Sequence, residues 1–529
     1  MTGPLHDLHA AVLDAAAAVA DAPPRTQPTL ERPRKAGFGD LSTNAAMLLA
    51  PVLKAPPREV AQRLGETLSG RLGDRLERFD VAGPGFLNLF LGDAWFVDAL
   101  RGVLAAGDRF GGGGADPVLR IDDEFVSANP TGPLHVGHAR NAAYGDALGR
   151  ILAFHGHEVT REYYVNDYGS QVQRFAESIR ARARGEEPPE DGYQGDYVRE
   201  LAHLDDGRMS LDELARRGVE AMLERIGQTL SAFHVAPFDV WFSERSLHPD
   251  KVRHALDVLA EQGHTYEADG ALWLRTTTFG DDKDRVLVRS NGEHTYFTSD
   301  IGYMQDKRER GFDQMLYVLG ADHHGYIKRL KAAFQALGGD PDQLDILIMQ
   351  FVNLPEGRLS KRAGTIVTLD DLVAEIGVDA ARWFLLSRSH DTTIELDLDL
   401  ATRESSENPV YYVQYAHARI ASVLAKAGVG GDEPPAFADR ALPLEPGERA
   451  LIMKLLALPG EVAEAADRRA PHRICTYALE LAQEFTAFYR DCRVVGSEVE
   501  DFRLALCVAT KRAIARSLDL VGVSAPESM

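Results

Sequence analysis

The chain has 529 residues, 45% hydrophobic and 26% charged, with 58 Lys and Arg against 80 Asp and Glu for a net charge of −22. That length calls for three or four domains rather than one core. No apolar run reaches the roughly 18 residues needed to cross a membrane, and Met1-Thr-Gly-Pro-Leu-His-Asp-Leu-His9 lacks the basic start of a secretory signal. Cys475, Cys492 and Cys507 are scattered with no Cys-x-x-Cys pair, which fits thiols in a reducing cytoplasm and argues against a zinc module. Phosphate contacts dominate RNA affinity, so an evenly acidic surface disfavours RNA. Composition alone favours an enzyme of small molecules, and only motifs can overrule it.

Residues 1–110 read as a small α+β unit. A helix is expected from Leu5 to Ala20, another from Ala45 to Leu53, and a third opened by Pro56-Pro57 with Val60, Leu64 and Leu68 on one face. Asp40 and Ser42 are cap types, and Val81-Ala-Gly-Pro-Gly-Phe-Leu-Asn-Leu-Phe90 alternates like one strand. Gly111-Gly-Gly-Gly114 reads as a flexible linker, since no strand feeds it and Asp116-Pro117 ends it. No Gly-x-x-x-x-Gly-Lys-Ser/Thr occurs, so ATP, if used, is not held by a P-loop.

Residues 115–395 have an α/β pattern. Val118 to Val126 reads as a buried strand with acidic punctuation, Asn141 to Phe154 as a helix, and Val159 to Val165 as the next strand. Between them lies Ser127-Ala-Asn-Pro-Thr-Gly-Pro-Leu-His-Val-Gly-His-Ala-Arg140. Such a crossing, at a strand's carboxyl end and a helix's amino end, is where parallel sheets bind ligands and helix amides favour phosphate. His135 and His138, three apart, can both donate to phosphate oxygens. Gly137 lets a flat base lie against the backbone, and Pro130, Pro133 and Gly132 shape the approach. By itself His-x-x-His is as often a pair of surface histidines.

A mostly helical insertion is expected over about 170–260. Strands are then expected at Ala271 to Arg275, Arg285 to Arg289, Thr295 to Asp300, Met315 to Gly320 and Ile346 to Val352. Glu124 ends the first strand, and Tyr296 and Asp300 lie four apart at the end of a sheet segment. The bland alternative is that both acids are solvated. Asp322-His-His324 follows the Met315 strand and can be read as metal ligands, which would make the chain a metal-dependent hydrolase. Gly357-Arg-Leu-Ser-Lys-Arg-Ala-Gly364 is a polar loop whose Lys361 can close over a polyphosphate, although a Ser-Lys-Arg loop is usually a solvated turn. Residues 396–529 read as a helix bundle, starting with Asn408-Pro-Val-Tyr-Tyr-Val-Gln-Tyr-Ala-His-Ala-Arg419.

The stretch from Ser127 to Arg140 resembles the nucleotide-binding signature of class I aminoacyl-tRNA synthetases. Its company is similar to the arginyl-tRNA synthetase family over nearly the whole chain. Gly39-Asp-Leu-Ser-Thr-Asn44 and Gly83-Pro-Gly-Phe-Leu-Asn88 resemble that family's N-terminal, tRNA-contacting domain. The Lys361 loop resembles the second class I signature, Lys-Met-Ser-Lys-Ser, with Arg358, Leu359 and Arg362 as departures. Asp379-Ala-Ala-Arg382 resembles the Asp-Ala-Leu-Arg signature of the anticodon-binding domain. The fold implied is a multidomain α/β chain: a Rossmann-like catalytic domain flanked by a small α+β N-terminal domain and an all-α C-terminal bundle.

The resemblance implies arginine–tRNA ligation through an arginyl-adenylate, activation that needs bound tRNA, ATP with Mg²⁺, no protein-bound zinc, and a cytoplasmic monomer whose partners are arginine, ATP and tRNA(Arg). His135, His138 and Lys361 would be catalytic. Pro130, Gly132, Gly137, Asp322 and Ser360 would join them around ATP. Glu124, Ser127, Asn129, Tyr296, Asp300 and His323 would surround arginine, with Glu124 and Asp300 on the guanidinium side. Tyr411, Tyr412, Gln414 and Tyr415 would serve the anticodon domain, the tyrosines stacking on splayed bases, although their helical spacing suits a core stripe equally. The rivals are a class I synthetase for another amino acid, such as cysteine, and an RNA-binding or adenylyl-transfer protein that has lost aminoacylation.

Overall fold

The strand Arg120–Glu124 is buried from Ile121 onward and lies at the centre of a five-stranded parallel sheet. On one side it pairs with Glu158–Val165, which pairs in turn with Val240–Ser243. On the other it pairs with Gln314–Gly320, followed by Leu344–Met349. The chain leaves the central strand through the helix Val136–His155 to one neighbour and reaches the opposite neighbour only much later. The crevice between Glu124 and Tyr317, which are in register, is therefore a topological switch point, where open α/β sheets take their ligands. This computed structural model describes residues 3–21, 26–33, 35, 37–354, 367–430, 433–438 and 442–529, and of Asp322, His323 and His324 the backbone alone.

Several expected elements take a different form. Thr295 to Asp300 is not a strand. Thr295 precedes the helix Tyr296–Glu309, and its hydroxyl donates to Val286 O (2.9 Å) while that of Thr298 donates to Leu287 O (2.6 Å). These bonds tie the helix start to the strand Arg285–Val288 and replace the alternation with a turn. Val81 to Phe90 is the turn of a hairpin between Leu76–Ala82 and Phe86–Leu91. The segment after Gly169 includes the helices Ser170–Ala183 and Leu211–Ala232, but Val240–Ser243 is the edge of the main sheet. Ala271–Leu274 and Arg285–Val288 belong with Thr265–Ala268 to a separate antiparallel sheet.

The glycine linker is also packed. Gly113 N–H donates to Phe154 O (2.9 Å) and Ala115 N–H to His155 O (2.9 Å). A Cβ on Gly112 would lie 2.6 Å from Phe154 O, so these glycines permit close approach to a helix end.

In the N-terminal unit the two glycine-led motifs meet each other. Ser42 and Asn88 are register partners, and the Ser42 hydroxyl donates to Asn88 Oδ1 (2.7 Å). Asp40 accepts from Leu91 N–H (2.8 Å). The C-terminal part packs helices Pro409–Lys426, Pro446–Leu455, Leu458–Asp467, His472–Asp491 and Glu500–Leu520 around Phe485, Leu481, Tyr477 and Ile514. Cys475, Cys492 and Cys507 are free and buried. Among the described residues no helix is long and apolar enough to cross a membrane.

A fully buried arginine joins these parts. Arg382, on Val378–Leu386, donates to Asp146 Oδ2 (2.6 Å) on the Val136–His155 helix, to Phe233 O (3.0 Å) and to Val521 O (2.9 Å). The Val136–His155 helix in turn lies so close to the central strand's exit that a Cβ on Gly145 would meet Phe125 ring carbons at 2.2 and 2.7 Å. Ala normally stabilises a helix interior over Gly by up to about 1 kcal/mol. Here Gly145→Ala is expected to destabilise by about 1–3 kcal/mol through overpacking. A lowered melting temperature in a thermal denaturation scan is the predicted result.

Candidate active site

The crevice opens into a cleft of about 770 Å³ lined by Glu124, Ser127, Asn129, His135, Gly137, His138, Tyr296 and Asp300, all expected from the sequence. Pro130 and Gly132 are not part of its lining. Pro130 is buried, and Gly132 packs beside Tyr197, whose hydroxyl donates to Thr131 O (2.8 Å). Ser360, Lys361 and Arg358 lie outside the described residues, and no side chain is described for Asp322 or His323. Among the described residues no group of three or more His, Cys, Asp or Glu is arranged to hold a metal ion.

On the nucleotide side, the two histidines form one unit at the helix start. His135 Nδ1 accepts from Gly137 N–H (3.1 Å), His138 Nδ1 accepts from His135 N–H (3.3 Å), and the rings lie 3.8 Å apart. Two Nδ1 acceptors imply neutral rings with the proton on Nε2, and burial lowers the His135 pKa, favouring that form. Each ring can then donate one hydrogen bond from the same helix end. Arg140, one turn on, donates to Gln350 O (2.7 Å), Thr392 O (2.8 Å) and Ser389 O (2.8 Å). It thereby holds the segment Met349 to Val352, with the exposed ring of Phe351, as one wall of the cleft.

The amino-acid side is acidic and strained. Val126 and Ser127 have φ of 66° and 41°, and Ser127 N–H donates to Phe125 O (2.9 Å) across a tight three-residue turn. A positive φ at a β-branched residue is costly and persists where the surroundings enforce it. The turn brings the Ser127 hydroxyl to Glu124 Oε1 (3.2 Å) and under Tyr164 N–H (3.1 Å). Asn129 Oδ1 accepts from Asn166 Nδ2 (3.2 Å) at the rim.

Tyr296, Asp300, Tyr303 and Lys307 follow one face of their helix at i, i+4, i+7 and i+11. Lys307 Nζ reaches Asp122 Oδ2 (2.6 Å) and Glu124 Oε2 (2.6 Å), with Glu162 Oε1 at 3.6 Å. Burial disfavours its charge, yet Asp122, Glu124, Tyr317 and Glu162 together hold it well above the ordinary lysine value. The Tyr303 hydroxyl lies between Glu124 Oε2 (2.9 Å) and Glu162, with one proton to give to either, and Arg310 donates to both Glu162 oxygens (2.5 and 2.9 Å). The floor is thus a network in which two cations, Lys307 and Arg310, hold three carboxylates between them and leave it net acidic.

Beside it, Glu244 is buried and Asp300 half-buried, and neither enters an ion pair among the described residues. Burial pushes Asp300 up to about 6, with Glu124 adding and Tyr326 and Arg329 opposing. Burial likewise pushes Glu244 up to about 7, with Asp300 adding and the Ser299 hydrogen bond opposing. Glu244 was missed by sequence reasoning because it sits in the supposed helical insertion. Lys307 was missed because Lys307-Arg-Glu-Arg310 reads as a surface run. The recurrence Tyr-x-x-x-Asp-x-x-Tyr-x-x-x-Lys was the available signal.

Two carboxylates without an ion-pair partner among the described residues, beside two imidazoles at a strand-end crevice, could accept a cation and donate to an anionic group. Residues 119–405 match the family described as tRNA synthetases class I (R), catalytic domain, which sets the site within the class I aminoacyl-tRNA synthetases. Residues 6–91 match the arginyl tRNA synthetase N terminal domain and 413–529 the DALR anticodon binding domain. Relatives include arginine–tRNA ligases of Kineococcus radiotolerans, 48% identical over 94% of both chains, and Frankia alni, 47% identical over 95% of both. The chain belongs to the arginyl-tRNA synthetase family. The solved arginyl-tRNA synthetase of Thermus thermophilus is 25% identical, covering 99% of this chain and 100% of its own with a TM-score of 0.77. A Mycobacterium tuberculosis methionyl-tRNA synthetase, 16% identical over 76% of this chain and 91% of its own, shares the fold at a TM-score of 0.55.

A guanidinium bound between Asp300 and Glu244 requires both to be ionised. Each has a raised pKa, so both are ionised only well above pH 7, and the charge is lost first from Glu244 as pH falls through about 7 and then from Asp300 through about 6. The KM for the cationic substrate should fall on the order of tenfold between pH 6 and pH 8. Steady-state kinetics across that range test this, and a flat KM would contradict it.

Proposed function

We propose that the chain activates L-arginine with ATP to arginyl-adenylate and transfers the arginyl group to the 2′-hydroxyl of the terminal adenosine of tRNA(Arg). The observation that carries this is the pair Asp300 and Glu244, without an ion-pair partner among the described residues, facing the cleft that His135 and His138 also line. A planar guanidinium matches two carboxylates through directed N–H donors, whereas a lysine ammonium satisfies the charge and leaves acceptors unpaired. Glu124, engaged by Lys307, Tyr303 and Ser127, shapes the end of that pocket. Ser127, Asn129 and Tyr296 would orient the backbone end of the substrate.

The arginine carboxylate attacks the α-phosphate in line, and pyrophosphate leaves. Positioning and charge stabilisation supply the catalysis, since the protein itself bonds to nothing. Nε2–H groups of His135 and His138 would donate to the α-phosphate as its charge develops, with Lys361 and Ser360 acting on the departing pyrophosphate. Gly137, with Asp322 and the turn Pro130 to Gly132, would define the nucleotide's place, and His323 would lie between ribose and arginine. Mg²⁺ would arrive with ATP as its counter-ion.

We assign the N-terminal domain to residues 1–110, the catalytic domain to 115–395 with an insertion over about 170–260, and the anticodon-binding domain to 396–529. Tyr411 and the exposed Tyr415, stacked with centroids 6.2 Å apart, are the candidates for base stacking. Tyr412 donates to Thr486 Oγ1 (3.0 Å), and buried Gln414 donates to Asp379 Oδ2 (2.8 Å) and Ser524 O (3.0 Å), which suits support of that surface. We infer that the enzyme works as a cytoplasmic monomer, and that tRNA is needed for the activation step.

Arginine-dependent ATP–pyrophosphate exchange tests these assignments, run with and without tRNA and with lysine and cysteine as controls. Exchange with arginine and tRNA together is expected. Absence of exchange from a folded preparation would contradict the activity, and exchange without tRNA would remove the tRNA requirement. His138→Ala and Lys361→Ala should each lower kcat about 100-fold or more with an unchanged circular dichroism spectrum. Near-normal turnover in both would exclude these residues from the mechanism.

A further inference from the structure

Asp300 is held from outside its own helix by one residue with no place in the roles above. Tyr326 ends the short helical turn Ala321–Tyr326 that follows the Gln314–Gly320 strand. Its hydroxyl donates to Asp300 Oδ2 (3.1 Å). The ring is fixed on two sides. The Arg329 guanidinium lies over its face, 4.4 Å from the centroid, and Phe297 meets it edge-on at 6.4 Å and 89°. Arg329 also sits 5.7 Å from the Phe297 ring. Phe297 and Asp300 belong to the same helix, so one aromatic–guanidinium stack positions both the donor and the carboxylate it serves.

We propose that Tyr326 is a specificity-determining positioning residue for arginine, fixing Asp300 by its Oδ2 so that the carboxylate plane meets a planar guanidinium and not a point charge. This rests on the arginine reading given above. The physical reason lies in what a carboxylate in a cation pocket does without an anchor. It can rotate to follow a single ammonium as readily as a fork. With Oδ2 engaged by a rigid phenol, its remaining lone pairs keep one direction, which rewards two parallel N–H donors.

Burial and Asp300 push the Tyr326 phenol up to about 12, so it stays a donor across the working pH range. Among the described residues, the charged or titratable groups acting on Asp300 are Glu124 from the central strand, Tyr164 from the strand Glu158–Val165, Glu244 from the segment after the edge strand, Arg329 from the helix Ile327–Ala336, and Tyr326 itself. Of these only Tyr326 makes a hydrogen bond to it.

Tyr326→Phe removes one hydroxyl and keeps the stack. In arginine-dependent pyrophosphate exchange with tRNA present, the KM for arginine should rise about tenfold, as expected for losing a hydrogen bond to a charged group. The kcat and the KM for ATP should stay within about twofold. Two readouts separate positioning from a structural role. The pH below which the arginine KM climbs should move upward, because Asp300 loses a donor that favours its ionised form. The preference for arginine over lysine should narrow, because the freed carboxylate can follow an ammonium. Tyr326→Leu should show the same shifts together with a lower melting temperature.

If the unaltered enzyme shows arginine-specific exchange and Tyr326→Phe keeps its KM, its pH profile and its selectivity, the positioning role is wrong while the arginine reading stands. A fall in kcat with an unchanged arginine KM overturns it as well. Absence of arginine-specific exchange in the unaltered enzyme overturns the arginine reading itself, and this inference with it.

Discussion

Burial of the Lys307 ammonium against Asp122 and Glu124, within reach of Glu162, is the interaction on which the cleft depends. Taking charges out of water costs several kcal/mol per ion after relaxation, and only close pairing with extra hydrogen bonds recovers it. Three carboxylates at neighbouring strand positions could not share the sheet's end without Lys307 and Arg310. With them in place, Glu124 is fixed in direction and each floor carboxylate faces a cation. Asp300 and Glu244, which enter no ion pair among the described residues, add further negative charge to the same cleft. A cation pocket built this way selects by geometry as well as by sign.

The helix Val136–His155 carries the second constraint. Its first turn places His135 and His138 in the lining of the cleft, its Arg140 holds another wall, and its Asp146 receives the Arg382 guanidinium. Arg382 binds Val521 O, at the end of the last helix of the bundle, so the C-terminal helices and the nucleotide signature share one buried node. The same region is strapped by Asp379, which accepts from Ser524 N–H (2.9 Å) and from Gln414. Catalytic and anticodon-binding parts are therefore registered to each other by hydrogen bonds to main chain, which tolerate little sliding.

The sequence made the strand–helix–strand crossing legible because apolar periodicity changes there from strand to helix and the signature sits at the change. His135, His138 and Glu124 were legible as cleft residues for the same reason, each adjoining an element end, whereas Asp300 was singled out on a strand end that is in fact the second turn of a helix. What was illegible has physical causes. Thr295 to Asp300 alternates apolar and polar residues, but hydroxyl bonds to the strand Arg285–Val288 turn it into a helix start, and only the i, i+4, i+7, i+11 recurrence betrays this. Lys307 hides among exposed neighbours because a buried lysine depends on partners distant in sequence. Glu244 falls where one short strand returns to the sheet from among helices. The glycine run after Phe110 looked like slack and is close packing against Phe154. No local pattern foretells the positive φ at Val126, which tertiary structure imposes.

In the proposed pocket Asp300 and Glu244 recognise a guanidinium. The most direct test is an equilibrium titration of the protein with arginine and with citrulline, in which a neutral urea replaces the guanidinium at nearly the same shape. The structure predicts measurable arginine binding at pH 8 that weakens towards pH 6, and no detectable binding of citrulline. Comparable affinities for the two, or arginine binding indifferent to pH, would contradict it.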